Sequence, residues 1–410
     1  MSLLTRNTIL TAKIEGSYGT DPTPTTVADY IAAHNISFSP EIARNDPPRT
    51  GASMSPVAGT RGIGHSGISF DYEVQIVSGD DDFSAAMIAL LKACGWGASA
   101  GTYTPKTGDS SSAYDSATLW VYKDGIAWKP TGCRGDVKFT CRPGEPFLAN
   151  FTMQGLYKEP ADVAFPASVT DTGTHTLVAM GGAFTIDSYT AVCRSLEFGL
   201  GYDMSPRPTI GAASPALQGV AGIGLTGRKP TVTVVVEAVL AATQDYFADF
   251  AATGDRGTCQ IALSYVMTDP GSNTTCTITM PKLEIANIVP NDDSGYVTYT
   301  ITATPVRDLE TGTLDYDSGG TTTPTIGETI TGASSGRVGT LASYTTDTGS
   351  WAGGDAAGTM TLTSLSGPIV YTNDEALTGS TSGADMATAN GVGTSDNIGE
   401  DEISIALAAA

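Results

Sequence analysis

Pro48-Arg-Thr-Gly-Ala-Ser-Met-Ser-Pro-Val-Ala-Gly-Thr-Arg-Gly-Ile-Gly-His-Ser-Gly67 carries five glycines, and each returns 160 residues later. Gly51, Gly59, Gly62, Gly64 and Gly67 align with Gly211, Gly219, Gly222, Gly224 and Gly227. Pro48, Ala52 and Ile63 return as Pro208, Ala212 and Ile223. The flanks repeat as well. Upstream, Ile36-Ser37-Phe38 matches Leu196-Glu197-Phe198, and downstream the alternating Phe70, Tyr72, Val74 and Ile76 match Val232, Val234 and Val236. Each alternating run leads into a helix-like segment stopped by glycine, Asp80 to Gly95 and Ala241 to Gly254. Self-similarity at one fixed offset marks a unit made twice, and repeated units build periodic objects.

Each unit is read as strand, long loop, strand, helix and further strands. The first has strands near 35–40, 68–78, 117–123, 126–128, 135–141 and 147–156, a loop at 42–67 and a helix at 81–94. The second has strands near 193–200, 230–238, 259–266, 274–288 and 295–305, a loop at 202–228 and a helix at 241–253. Phe83, Met87, Leu90, Leu91 and Cys94 fall on one helical face. Aspartates lead that helix and Gly95 stops it, as the helix dipole and a left-handed cap require. The second helix places Phe247, Phe250 and Ala251 on a face. The fold class is therefore mainly β: two tandem β-sandwich or barrel domains, each with a flanking α-helix, and a small C-terminal β domain. The boundaries are 1–157 for the first copy with its N-terminal arm, 158–307 for the second, 308–324 for a linker and 325–410 for the last domain. Within that domain Glu328-Thr-Ile-Thr-Gly-Ala-Ser-Ser-Gly336 is echoed by Glu375-Ala-Leu-Thr-Gly-Ser-Thr-Ser-Gly383.

Charge narrows the function. The net charge of −22 argues against adhesive nucleic-acid binding, because phosphates need Lys and Arg. Residues 308–410 hold 14 acidic side chains against the single cation Arg337. The start of the chain has no signal-peptide core, and no segment approaches a membrane span. The six cysteines form no Cys-x-x-Cys and histidines number three, so a zinc site is not expected; buried reduced thiols are, although Cys133 and Cys141 could pair across a hairpin. No nucleophile elbow, phosphate loop or His-Glu-x-x-His pattern appears, and no cofactor is implied. His65 has Leu225 as its counterpart, which a required base would not tolerate. The sequence reads as a non-enzyme.

The alternating strands have a second, polar face. Asp71, Glu73 and Gln75 oppose the first run; Asn150, Thr152 and Gln154 oppose Phe147 to Met153; Thr298, Thr300 and Thr302 oppose Val297 to Ala303. None of these is Lys or Arg.

Two stretches point to a family. Ala12-Lys-Ile-Glu-Gly-Ser-Tyr-Gly-Thr-Asp-Pro-Thr-Pro-Thr25 and Gly144-Glu-Pro-Phe-Leu-Ala-Asn-Phe-Thr-Met-Gln-Gly-Leu-Tyr157 resemble the tail tube proteins of long, flexible-tailed bacteriophages, over roughly residues 1–307. The Gly-Glu-Thr-Ile-Thr-Gly-Ala-Ser-Ser-Gly pattern is similar to small repeats of phage structural proteins. The resemblance implies a β-sandwich with a flanking helix, whose inner sheets join around a ring into one barrel enclosing a lumen. It implies stacked rings in a virion tail assembled in the host cytoplasm, with a tape measure protein and tail terminator and tip proteins as partners. Single-unit members form hexamers and duplicated members form trimers, so the duplication favours a trimer and leaves a hexamer open. On this reading Asp71, Glu73, Gln75, Asn150, Thr152, Gln154, Thr231, Thr233, Thr298, Thr300 and Thr302 line a bore through which DNA slides without binding. Arg49, Gly51, Arg61, Gly62, Gly64, Arg207, Gly211, Gly222 and Gly224, in the two long loops, contact the adjacent ring. The extra C-terminal domain would decorate the tail. The rival reading is a glycan-binding adhesin or fibre, supported by the Ser/Thr/Gly-rich C-terminal domain and weakened by the scattering of its tryptophans.

Overall fold

The computed structural model describes residues 7–46, 58–77, 82–99, 101–106, 114–171, 175–180, 182–210, 219–251, 260–268, 274–306, 311–363, 371–391, 394–395 and 402–409. The chain divides into two compact units, one of residues 1–306 with 402–410 and one of residues 307–401.

In the larger unit, the first copy contributes β1 (Thr8–Ile14), β2 (Ala33–Asn45), β3 (Thr60–Glu73), α1 (Ala85–Ala93), β4 (Ala117–Lys123), β5 (Thr131–Cys141) and β6 (Leu148–Leu156). The second contributes β7 (Cys193–Gly199), β8 (Tyr202–Pro208), β9 (Val220–Arg228), β10 (Thr231–Glu237), α2 (Tyr246–Ala251), β11 (Gln260–Thr268), β12 (Thr274–Asp293) and β13 (Tyr296–Pro305). Pairing joins most of these strands into a closed barrel. Its main sheet runs β2-β3-β6-β5 through the first copy and β7-β10-β13-β12 through the second, and β5 pairs with β7. The two copies thus share one strand order, and the last main-sheet strand of one meets the first of the other.

The alternation does what a period of two requires. Phe70, Tyr72, Phe151, Met153, Val232, Val234, Ile301 and Ala303 are all buried in a single core that spans both copies. The helix α1 lies in that core. Ser84 caps it by accepting from Met87 N (3.3 Å), and Gly95, at φ +79°, follows its end. It starts later than the aspartate run implied: Asp82 belongs to a short strand and takes the Tyr103 hydroxyl instead. Among the described side chains of α2, Tyr246 is buried, whereas Phe247 and Phe250, expected on one face with Ala251, are about two-fifths exposed (39% and 42%); the Ala251 side chain lies outside the described residues.

Among the described residues the expected loops are largely strand, while 47–57 and 211–218 lie outside those residues. β2 and β3 pair out to Asn45 and Thr60, and β8 and β9 pair from Tyr202 and Arg228 to Pro208 and Val220. Glycine was read as loop; here it allows close approach within a hairpin. A Cβ at Gly62 would lie 3.2 Å from Ala43 Cβ, and one at Gly222 would lie 2.8 Å from the Tyr18 ring. The second hairpin differs in one respect. Gly201, at φ +59°, and Pro230 interrupt its strands, so β8–β9 forms a sheet of its own, while β2 and β3 run straight through.

In the smaller unit β14 (Thr311–Asp317), β15 (Thr329–Gly332), β16 (Val338–Tyr344), β17 (Gly358–Thr363), β18 (Ala376–Gly379) and β19 (Gly383–Ala389) belong to one sheet. The expected linker 308–324 therefore contains a strand, whose Leu314 and Tyr316 are fully buried. Tyr316 stacks on Trp351 at 5.2 Å, so this tryptophan is core rather than a sugar platform. The unit also ends earlier than expected. β20 (Ser404–Ala409) returns to the larger unit and pairs with β12, where Ile405 and Leu407 are buried.

Candidate functional interface

The seam between the copies is the most informative site. Lys138, Phe139, Thr140 and Cys141 of β5 stand opposite Gly199, Phe198, Glu197 and Leu196 of β7. On the core side Phe139 stacks on Phe198 at 5.1 Å and on Phe147 at 5.3 Å. On the polar side Lys138 Nζ reaches Glu197 Oε2 at 2.6 Å, with Arg142 Nη2 3.9 Å from the other carboxylate oxygen. Backbone ladder, aromatic stack and ion pair coincide here.

The polar face carries several of the expected bore residues. Asn150 of β6 lies beside Asp71 of β3, and its amide donates to Asp71 Oδ1 at 2.6 Å while Asn35 donates to Oδ2 at 2.7 Å. Burial pushes the Asp71 carboxyl up, but the two amide donors and nearby His34 outweigh it and hold the carboxyl below its ordinary range. Glu73, Thr152 and Thr231 are exposed; Gln154, Thr233, Thr300 and Thr302 are half-buried. Two residues stand elsewhere. Thr298 is only 1% exposed and donates to the Asn291 carbonyl, and Gln75 has left the main sheet to pair with Thr176. The face is also not free of cations, because Lys138 of β5 and Arg142 just after it stand beside Glu197; alternation in the flanking strands alone gave no sign of them.

The loop residues divide similarly. Arg49, Gly51 and Gly211 lie outside the described residues. Arg61 and Arg207 are exposed, Gly62 is half-buried and Gly64 is buried. Gly222 and Gly224 are buried, so their contact is made within the chain. There the second hairpin rests on the first copy through a clamp that sequence reasoning missed. The Tyr18 hydroxyl donates to the Gly132 carbonyl (3.0 Å) and accepts from Ile223 N (2.6 Å), and Arg134 donates to the Ile223 carbonyl (3.0 Å). Glu15 supports the clamp, accepting from Gly19 N, Gly132 N, Ser116 Oγ and Thr118 Oγ1 at 2.6–2.7 Å. Its signal in the sequence was the Glu15-Gly-Ser-Tyr18 arm, read only as a resemblance.

The thiols are structural. Cys133 and Cys141 are free and sit on one strand, eight residues apart, so at ~3.3 Å per residue they lie far beyond disulfide reach. Burial pushes the Cys276 thiol up to about 12 and Cys141 well above its ordinary range. Among the described residues no group of His, Cys, Asp and Glu is placed to hold a metal, and no helix is long and apolar enough to cross a membrane.

The larger unit is a barrel-forming β protein in which two like strand orders join edge to edge. The sequence profile described as phage tail tube protein matches residues 5–305, most of the chain, and the chain belongs to that family. It is a structural component of the bacteriophage virion tail, of a non-enzymatic family whose members self-assemble. No curated protein matches the chain.

Proposed function

We propose that this chain polymerises as rings stacked into the phage tail tube, with the polar face of the main sheet turned to a central conduit for DNA. The observation that carries this reading is the β5–β7 seam. Two copies of one unit are already joined head to tail in a single sheet, with the same strand order repeated across the join. A heterologous contact of this kind closes into a ring when the rotation per unit closes. Closure also removes the exposed edges that make strands prone to random pairing. Three chains supply six copies, so a trimer gives pseudo-sixfold symmetry. The two hairpins contact the adjacent ring, and the smaller acidic unit decorates the exterior. The tape measure protein inside and terminator and tip proteins at the ends complete the set of partners.

The bore is lined by Asp71, Glu73, Asn150, Thr152, Gln154, Thr231, Thr233, Thr300 and Thr302. Glu197 offsets one of the two seam cations, and Glu73 and Glu145 line the same pocket, so the local charge that phosphate meets stays net negative. Electron microscopy of the purified chain at high concentration tests the reading. Rings or tubes are expected; a chain that stays monomeric under all assembly conditions contradicts it. For the conduit, Asp71→Lys with Glu73→Lys should leave tubes intact and slow genome ejection at low salt, with recovery at high salt.

A further inference from the structure

The internal seam specifies the contact between chains. Pairing across the sheet sets the two copies in register: Phe38 leads through Ile68 and Met153 to Gly135, and Phe198 leads through Val232 and Ala303 to Ile285. A bulge after Ile285 adds one residue in the second copy. Beyond it Lys138, Phe139, Thr140 and Cys141 correspond to Val289, Pro290, Asn291 and Asp292, because the matched pairs Asn150 and Thr300, Ala149 and Tyr299, and Leu148 and Thr298 stand beside them. On the other side of the seam Leu196, Glu197, Phe198 and Gly199 correspond to Ile36, Ser37, Phe38 and Ser39.

Both of these counterpart edges are open. Among the described residues β2 pairs only with β3, and residues 285–293 of β12 pair only with β13. Two apolar side chains stand exposed at or beside the open edge of β12. Val297, the counterpart of the fully buried Phe147, is 59% exposed, and Val289 is 41% exposed. Pro290 suits a strand at the margin of its own chain.

We infer that residues 289–292 of one chain pair with residues 36–39 of the next, in the antiparallel register Val289 with Ser39, Pro290 with Phe38, Asn291 with Ser37 and Asp292 with Ile36. Phe38 then covers Val297 as Phe198 packs by Phe147. The ion pair has no counterpart: Val289 and Ser37 replace Lys138 and Glu197, and Asp293 replaces Arg142. This join therefore has no cation and no ion pair, and its charges are those of Asp292 and Asp293, which keeps the two kinds of seam chemically distinct around the ring. The inference rests on the ring reading and adds the partner strand and its register.

Oxidative cross-linking of the full-length chain tests it. Ser37→Cys with Asn291→Cys should yield covalent dimers and closed trimers on non-reducing gels, at least tenfold more than Ser39→Cys with Asn291→Cys, which is displaced by two residues. Preferential cross-linking of the displaced pair, or rings by microscopy without cross-links in the aligned pair, overturns the register while the tube reading stands. Wild-type chain that forms no rings removes the tube reading itself. Val297→Asp gives an independent check, since Val297 is already exposed in the single chain. The variant should stay folded and lose assembly, and tube formation at the wild-type level overturns the inference.

Discussion

Lys138 Nζ lies 2.6 Å from Glu197 Oε2, an ion pair that crosses from one copy of the duplicated unit to the other. Both side chains are partly open to solvent, so the pair fixes partner choice more than it stabilises, at about 0–1 kcal/mol. Glu197→Lys would bring three cations together and should lower Tm by a few degrees, roughly 2–4 °C for each kcal/mol. Adding Lys138→Glu should recover most of the loss. A double-mutant thermal-unfolding series measures the coupling directly.

Tyr18 ties the second hairpin to the first copy. Tyr18→Phe leaves the Ile223 N–H without its acceptor and should cost about 1–3 kcal/mol. Hydrogen exchange should rise at the Ile223 amide before it rises in the core strands. Gly222→Ala should act at the same place by a different route, because its new methyl would meet the Tyr18 ring at 2.8 Å.

In the smaller unit two carboxylates hold each other's turns. Glu328 accepts from the amides of Thr381 and Ser382, and Glu375 accepts from those of Ser334 and Ser335, each within 2.7–2.9 Å. This reciprocal arrangement explains the short sequence echo. Burial pushes both carboxyls up, but the backbone and serine donors outweigh it, and both stay below their ordinary range. A folded-state pKa below the unfolded one stabilises above the unfolded value and loses that contribution as pH falls through the folded one. The unit should therefore be stable at neutral pH and loosen as the pH drops below the ordinary glutamate range. Local hydrogen exchange at Ser334 and Ser382 between neutral and acid pH follows this loss. Glu328→Gln should weaken the Thr381–Ser382 turn at neutral pH and flatten that part of the pH response.

Much of the fold was legible because alternation is a local signal. Phe70, Tyr72, Phe151, Val234 and Ile301 went to the core, and the matched glycines among the described residues fall in two hairpins that precede like strand orders. Glycine-rich composition hid the hairpins, since Gly62 and Gly222 mark close packing rather than loop. The 308–324 stretch read as linker because two buried side chains, Leu314 and Tyr316, are a weak pattern in a polar setting. The seam needed the structure. Which strand edge meets which is a non-local fact, and the Phe139–Phe198 stack joins residues 59 positions apart that no local period connects.

Salt separates the two kinds of seam. The proposed join between chains lacks the ion pair, so ring assembly should persist at salt concentrations that screen Lys138 and Glu197. Sedimentation of assembled tubes across a salt series reads this out, with dissolution at moderate salt counting against a join that has no ion pair.

Cryo-electron microscopy of the assembled tube tests the central claim most directly. The account predicts three chains per ring, a continuous inner sheet in which 289–292 of each chain abut 36–39 of the next, and Asp71 and Glu73 facing the bore. Rings whose chains meet through other surfaces, with β2 and β12 left unpaired at their outer edges, would contradict it.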